Sequence, residues 1–150
     1  MSYSPYQTRY PSYREAAADF ASGADSPSAF LDRCLAALAT REGDVRAFVV
    51  TDEAAARRAA EAASRRWAAG TPLSPLDGMP FAVKDCFDVA GWPTRVGSAA
   101  FADAPPARAD AAHVDALRRA GAIVLGKTVT TELTMAAPGP TANPWDLTRT

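Results

Sequence analysis

Residues 110–128, DAAHVDALRRAGAIVLGKT, decide the fold class of this chain. The first half carries apolar residues at helical spacing and two arginines near its end, which predicts a helix from Asp110 as N-cap to Ala120. Gly121 ends that helix, and the apolar run 122–125 that follows is typical of a strand buried on both faces. A helix, a glycine and a buried strand in this order predict α/β layering with a parallel or mixed sheet.

Two further segments predict the other strands. Residues 79–85, MPFAVKD, follow a loop rich in proline and glycine and form an apolar run of strand length. Residues 47–50, AFVV, form a shorter run of the same kind. The sequence therefore predicts three strands with helices between them.

Two amphipathic helices complete the pattern. Ser26 is a suitable N-cap because proline follows it, and apolar residues recur at helical spacing behind it, with Cys34 on the buried face as a small apolar side chain. Thr51 or Asp52 caps a second helix that ends near Gly70. On this helix each acid lies four residues before a base, an arrangement that favours surface ion pairs. The residues concerned are Glu53, Arg57, Glu61 and Arg65.

The N-terminal segment differs in composition from the rest. Its tyrosines, Tyr3, Tyr6, Tyr10 and Tyr13, alternate with serine and proline. We expect a flexible or loosely docked arm over residues 1–14 and one domain unit over residues 15–150.

Composition and charge exclude several classes of protein. With 150 residues, 48% hydrophobic and 22% charged, the chain matches globular usage and not that of a disordered or collagen-like protein. A net charge of −1 argues against a nucleic-acid binder that relies on a basic face. The chain has no apolar run long enough for a membrane span, no recognisable secretory signal, and too few cysteines for a disulfide framework. These features predict a soluble cytoplasmic protein.

Lysine is rare, with only Lys84 and Lys127 among the 16 basic residues. The second lysine belongs to a literal match to the phosphate-binding loop pattern, Gly121 to Thr128. Such a loop needs a flexible turn between a strand and a helix, whereas the four middle residues here favour a buried strand and the first glycine ends a helix. We therefore reject a nucleotide-binding loop at this position.

Lys84 is the stronger candidate for chemistry. It ends the apolar run 79–85, where alternation places Phe81 and Val83 on one face and Ala82 and Lys84 on the other. Burial there would favour the neutral amine, and a neutral amine can take a proton from a serine hydroxyl. Considered alone, a lysine at this position is more often solvated or paired with the neighbouring Asp85.

A cysteine–histidine pair and a metal site have less support. Cys86 could act as a nucleophile with His113 as its base, but no third orienting group is identified. His113 lies beside Val114 on the predicted helix, which favours a structural or surface role. No cluster of histidine, cysteine and carboxylate residues has metal-ligand spacing.

Taken together, these segments resemble the amidase signature family of hydrolases. The resemblance covers nearly the whole chain after about Tyr13, and its pieces occur in order at sensible spacing. They are Pro75–Asp85, Gly91–Thr94 with Gly97 and Ser98, Asp110–Thr128, Glu132, and Gly139–Asp146.

The resemblance implies a layered α/β/α fold with a mixed sheet, of which this chain is the N-terminal part. It also implies a relay of a lysine, a serine held in a cis peptide and a serine nucleophile, with backbone N–H groups stabilising the oxyanion. The lysine maps to Lys84, whereas Ser74 and Ser98 do not occupy the nucleophile position. Both catalytic serines and the oxyanion donors are expected beyond Thr150. The relay uses no metal and no organic cofactor.

The same resemblance implies a small-molecule amide as substrate, and it allows a homodimer of the full-length enzyme. Direct nucleic-acid readout and membrane binding are not expected. One alternative is the glutaminase subunit of a tRNA-dependent amidotransferase. An alternative of another class is a truncated, non-catalytic remnant that binds a partner. In either case we expect the isolated chain to be inactive, and to fold poorly because its strands leave exposed edges.

Overall fold

The computed structural model describes residues 12–150. In chain order these residues form α1 (Tyr13–Ser22), α2 (Pro27–Val45), β1 (Phe48–Thr51), α3 (Glu53–Ala68), β2 (Pro80–Lys84), α4 (Ala112–Arg119) and β3 (Ile123–Thr128). Single 3-10 turns lie at Ala99–Phe101 and Glu132–Thr134. The strand order is β1-β3-β2, with β1 antiparallel and β2 parallel to β3. The predicted mixed sheet and α/β class are confirmed.

The central strand β3 separates two apolar layers, because its side chains alternate between the faces of the sheet. Ile123 and Leu125 pack on one face against α2 and α3, and Val124 packs on the other with Val114 of α4 and Val83 of β2. Helices therefore cover both faces, as the layered α/β/α arrangement requires.

The helix signals were largely sufficient for α2 and α3. The Ser26 hydroxyl accepts from the Ala29 amide at the start of α2, and the Asp52 carboxylate accepts from the Ala55 amide at the start of α3. Cys34 lies partly buried on α2, and this burial raises the pKa of its thiol.

The sequence did not predict α1. Ser12 and Glu15 form a reciprocal capping box at its start. Most of the predicted arm over residues 1–14 lies outside the described residues, but Tyr13 belongs to α1 and packs edge-on against Phe20 and Phe30. The predicted boundary at residue 14 is therefore wrong, because the aromatic ring of Tyr13 is part of a packed cluster.

Two predicted polar interactions are also replaced by others. Asp110 does not cap α4: it accepts from the Ala90 amide at 2.7 Å and forms an ion pair with Arg118 at 2.8 Å. On α3, Arg57 pairs with Asp32 of α2, and the expected acid–base pairs along the helix do not form within residues 12–150. In both cases a neighbouring segment supplies a partner that local spacing could not reveal.

Asp77 fixes the loop that leads into β2. Its carboxylate is fully buried and accepts from Arg66 Nε at 2.7 Å, from Arg66 Nη2 at 2.5 Å and from the Leu73 amide at 2.9 Å. Its backbone carbonyl accepts from the Tyr13 hydroxyl at 2.6 Å and from Trp67 Nε1 at 2.8 Å. One residue thus ties this loop to both α1 and α3.

Candidate active site

Lys84 is the last residue of β2, at the carboxyl end of the strand. Its register partner in the parallel ladder is Thr128, whereas Val83 pairs with Lys127. Neighbouring residues in register share a face of the sheet, so the two lysines of the chain point to opposite faces. The Lys84 side chain is exposed, while Val83 is buried, which confirms the predicted alternation.

Residues 12–150 do not bury the Lys84 amine. Within this part of the chain, the Lys84 side chain forms no hydrogen bond and no ion pair. In this part of the chain Lys84 is therefore exposed to solvent. The adjacent carboxylate of Asp85, considered as its partner from the sequence, contacts another lysine.

That other lysine, Lys127, is fully buried in β3. Its Nζ lies 2.7 Å from Oδ1 of Asp85, and it donates to the Pro93 carbonyl at 2.8 Å and to the Thr94 hydroxyl at 2.9 Å. Sequence reasoning missed this site, although a lysine separated by one glycine from the apolar run 122–125 was a usable signal.

The rejection of a phosphate-binding loop is confirmed. Gly126, Lys127 and Thr128 continue strand β3, so no flexible loop turns its amides towards a ligand. The Gly126 Cα instead faces the Val50 carbonyl of β1 closely, and a side chain there would clash with it. The lysine amine is occupied by the acceptors at Asp85, Pro93 and Thr94.

Asp85 is held through every polar group. Its amide donates to the Thr128 carbonyl at 2.9 Å, and its own carbonyl accepts from the Val96 amide at 3.0 Å. Its Oδ2 accepts from the Arg95 amide at 3.3 Å, and its Oδ1 lies against Lys127. The residue directly after Lys84 is therefore fixed to β3 and to the following loop.

The serines of the described part do not contact Lys84. Ser98 is buried, and its hydroxyl donates to Glu132 at 2.8 Å and accepts from the Ala100 amide at 3.3 Å. The Ser74 hydroxyl donates to the Ala120 carbonyl at 2.7 Å. Neither hydroxyl contacts a lysine amine within residues 12–150.

An open hollow of about 450 Å³ lies at the carboxyl end of β2. Asp85, Arg95 and Ser98 line it on one side, and Val49 of β1 lines it on the other. Nε of Arg95 donates to the Ala102 carbonyl at 3.0 Å, and this is the one hydrogen bond of its guanidinium among residues 12–150.

The structure does not bring Cys86 and His113 together as a nucleophile and base. The His113 ring packs edge-on against Phe87, with 4.5 Å between ring centroids. Residues 12–150 also contain no group of histidine, cysteine and carboxylate residues that could hold a metal ion. No helix among them is long and apolar enough to cross a membrane.

A mixed sheet with helices on both faces places this chain among the α/β proteins. The Amidase family matches residues 29–150. The chain belongs to this amidase family, as its sequence motifs predicted.

Individual relatives support the assignment. Over 134 residues the chain is 43% identical to the A component of the glutamyl-tRNA(Gln) amidotransferase of Salinispora arenicola (strain CNS-205), covering 85% of this chain and 26% of that protein. It is 40% identical over 137 residues to AtzE, a component of the 1-carboxybiuret hydrolase of Pseudomonas sp. (strain ADP), covering 86% of this chain and 30% of that protein.

Solved structures show the same fold. One is the inhibitor-bound form of a vestigial protein complex that reveals the evolutionary origins of an s-triazine catabolic enzyme. It matches with a TM-score of 0.81 and 38% identity, covering 91% of this chain and 31% of that one. The peptide amidase PAM with the competitive inhibitor chymostatin matches with a TM-score of 0.80 and 28% identity, covering 96% of this chain and 31% of that one. The chain therefore spans less than a third of the length of these relatives.

Proposed function

We propose that this chain carries the lysine base of an amide hydrolase, and that Lys84 is that base. The observation that carries the proposal is the place of Lys84 at the carboxyl end of β2. Its amine forms no hydrogen bond or ion pair within residues 12–150, and its neighbour Asp85 is fixed at every polar group. A rigid strand end is a suitable position from which an amine can take a proton at a defined point.

In the proposed reaction the neutral Lys84 amine takes a proton from a bridging serine, which takes one from the serine nucleophile. The nucleophile attacks the amide carbon, and the amine of the substrate leaves with the proton that Lys84 returns through the bridging serine. Water then hydrolyses the ester of the acyl-enzyme. Neither Ser74 nor Ser98 is the bridging serine or the nucleophile in this proposal, because their hydroxyls have other partners. Burial of Lys84 in its active form must therefore come from residues beyond those described.

The test uses a chimaera in which this chain replaces the matching segment of the Pseudomonas AtzE relative, with amide hydrolysis followed as ammonia release. Lys84→Ala and Lys84→Arg should both abolish turnover, because arginine keeps the charge but cannot lose its proton in a protein. Arg57→Lys, at an exposed ion pair, is the matched control and should leave the rate unchanged. Full activity of Lys84→Arg would disprove the role of Lys84 as a base.

A glutaminase subunit of an amidotransferase is the second candidate, favoured by the identity to the Salinispora relative. Both functions hydrolyse an amide by the same relay, so they differ in substrate and partner. Ammonia release from L-glutamine that increases when the other amidotransferase components and charged tRNA are added would favour this candidate. Turnover of simple amides that such partners do not change would favour a free-standing amidase.

The non-catalytic alternative differs from the others in the chimaera and not in the chain by itself, which every alternative predicts to be inactive. The isolated chain should hydrolyse no amide, since no serine hydroxyl contacts Lys84 within residues 12–150. Turnover by the pure chain that disappears in Lys84→Ala would contradict this expectation. Failure of every chimaera to hydrolyse amides, with the fold intact, would favour the remnant.

A further inference from the structure

The buried ammonium of Lys127 is the most unusual charge in the described part of the chain. The side chain has no exposed surface, and its three acceptors come from Asp85, Pro93 and Thr94. All three acceptors lie in the segment that follows Lys84. The second lysine of the chain is thus connected to the first through the backbone that leaves β2.

Stability alone does not account for such a group. Transfer of two charges from water to the interior costs much of what their attraction returns, and an apolar pair of similar volume is often as stable. Lys127 lies within β3, whose earlier residues 123–125 are apolar and buried, so an apolar side chain would suit the same position. A lysine differs from an apolar residue here in its directional bonds, which fix the segments that it contacts.

These bonds join three separate segments. Asp85 is bonded through its amide to Thr128 of β3 and through Oδ2 to the Arg95 amide. The Thr94 hydroxyl accepts from Lys127 and lies 2.6 Å from Asp88 Oδ1, to which it donates. The end of β2, the end of β3 and the loop that lines the hollow therefore form one network around the Lys127 amine.

We propose that Lys127 is a positioning residue for Lys84, and this inference rests on the proposed function of Lys84 as a base. Lys127 does not contact the amine of Lys84, because the two side chains lie on opposite faces of the sheet. Its effect passes through Asp85, the next residue, whose orientation sets the direction in which the Lys84 side chain leaves the strand end. Lys127 also donates to Pro93 and Thr94, which directly precede Arg95 in the loop that lines the hollow.

The test uses the full 150-residue chain labelled with ¹⁵N-lysine. The wild-type chain then gives two lysine backbone amide signals, and Lys127→Met leaves only that of Lys84. The decisive variant is Asp85→Asn with Lys127→Met, because removal of both charges leaves no unpaired charge in the interior. Arg57→Met, which removes an exposed ion pair, is the matched control.

We expect the double variant of the chimaera to unfold at a denaturant midpoint close to that of the unsubstituted chimaera. In the labelled 150-residue chain, the Lys84 amide signal of the double variant should nevertheless move or broaden. Hydrogen exchange at this amide should be at least about tenfold faster than in Arg57→Met. In the active chimaera, kcat should fall on the order of 10²-fold with KM within about twofold, as expected for a misplaced base.

Each outcome decides the matter. A wild-type-like Lys84 signal in the double variant would overturn the positioning role, whatever the stability of the single variant Lys127→Met. A lower denaturant midpoint of the chimaera, together with an unchanged Lys84 amide signal in the labelled chain, would also overturn the positioning role. Lys127 would then have a structural role only. The amide signal does not depend on catalysis. If it is perturbed in the double variant while the Lys84→Arg chimaera is active, Lys84 is not the base, but the network around Lys127 still orients the end of β2.

Discussion

We expect Asp77→Asn to loosen the loop before β2 more than any comparable change at the surface. The substitution keeps the shape of the side chain and removes its charge. Asparagine presents one N–H₂ group where the carboxylate accepts from Arg66 and from the Leu73 amide. At least one of those three hydrogen bonds is lost, and the guanidinium of Arg66 loses its counter-ion.

The magnitude follows from the exposure of the two partners. Breaking a fully buried ion pair costs about 3–5 kcal/mol. The Asp77 side chain is 0% exposed but that of Arg66 is 29% exposed, so water partly solvates the guanidinium after the change. We therefore expect a loss of about 2–3 kcal/mol, which corresponds to roughly 30- to 150-fold in the opening equilibrium of the loop.

Amide hydrogen exchange measures this opening locally and does not require one cooperative unfolding transition. The reporting amides are those of Leu73 and of Gly78, which donates to the Gly121 carbonyl at 2.9 Å. The control is Asp32→Asn, the same substitution at an ion pair whose carboxylate side chain is 59% exposed. There we expect about 0.5 kcal/mol or less. Equal exchange in the two variants would show that the buried pair does not hold the loop.

Three further predictions concern the sheet, pH and cooperativity. Gly126→Ala should separate β1 from β3, because the new Cβ would clash with the Val50 carbonyl, and we expect a loss of about 1–3 kcal/mol in the opening free energy of this strand pair, measured by amide hydrogen exchange. Ala at Gly43, which has open space, is the control, and equal effects would contradict the clash. Burial, and secondarily the charge of Asp77, raises the pKa of the Tyr13 phenol. The stability that this phenol contributes should therefore be complete below about pH 10 and decline as the pH rises further, so that wild type loses its advantage over Tyr13→Phe. A constant difference across that range would refute the linkage. The isolated chain should melt over a broad range because β1 and β2 leave edges unpaired in the described sheet, and a sharp transition of a monomer would contradict this.

The polar partners were the part of the structure that sequence reasoning could not supply. Asp110 and Arg57 were assigned to interactions within their own helices. Asp110 instead accepts from the Ala90 amide and pairs with Arg118 at the far end of α4, and Arg57 pairs with Asp32 of α2. A side chain at a helix start or on a helix surface has several partners within reach, and local spacing identifies only those on the same helix. Packing of the neighbouring segments decides which partner is used.

The sequence by itself determined the strands, the helices α2 to α4 and the place of Lys84 at a strand end. Burial of one face leaves a period of two or of about 3.6 residues, which local sequence records directly. The motifs around Lys84 also determined the family, which the comparisons confirmed.

Only the tertiary structure decided that Lys127 is buried on Asp85 and that Tyr13 belongs to a packed helix. Lys127 finds its Pro93 acceptor 34 residues away, and Tyr13 finds the Asp77 carbonyl 64 residues away. Neither acceptor is marked in the sequence, because a backbone carbonyl is the same at every residue. Such contacts exist only when the sheet and its helices bring distant segments together, and for this reason the network around Lys127 was found in the fold and not in the motif.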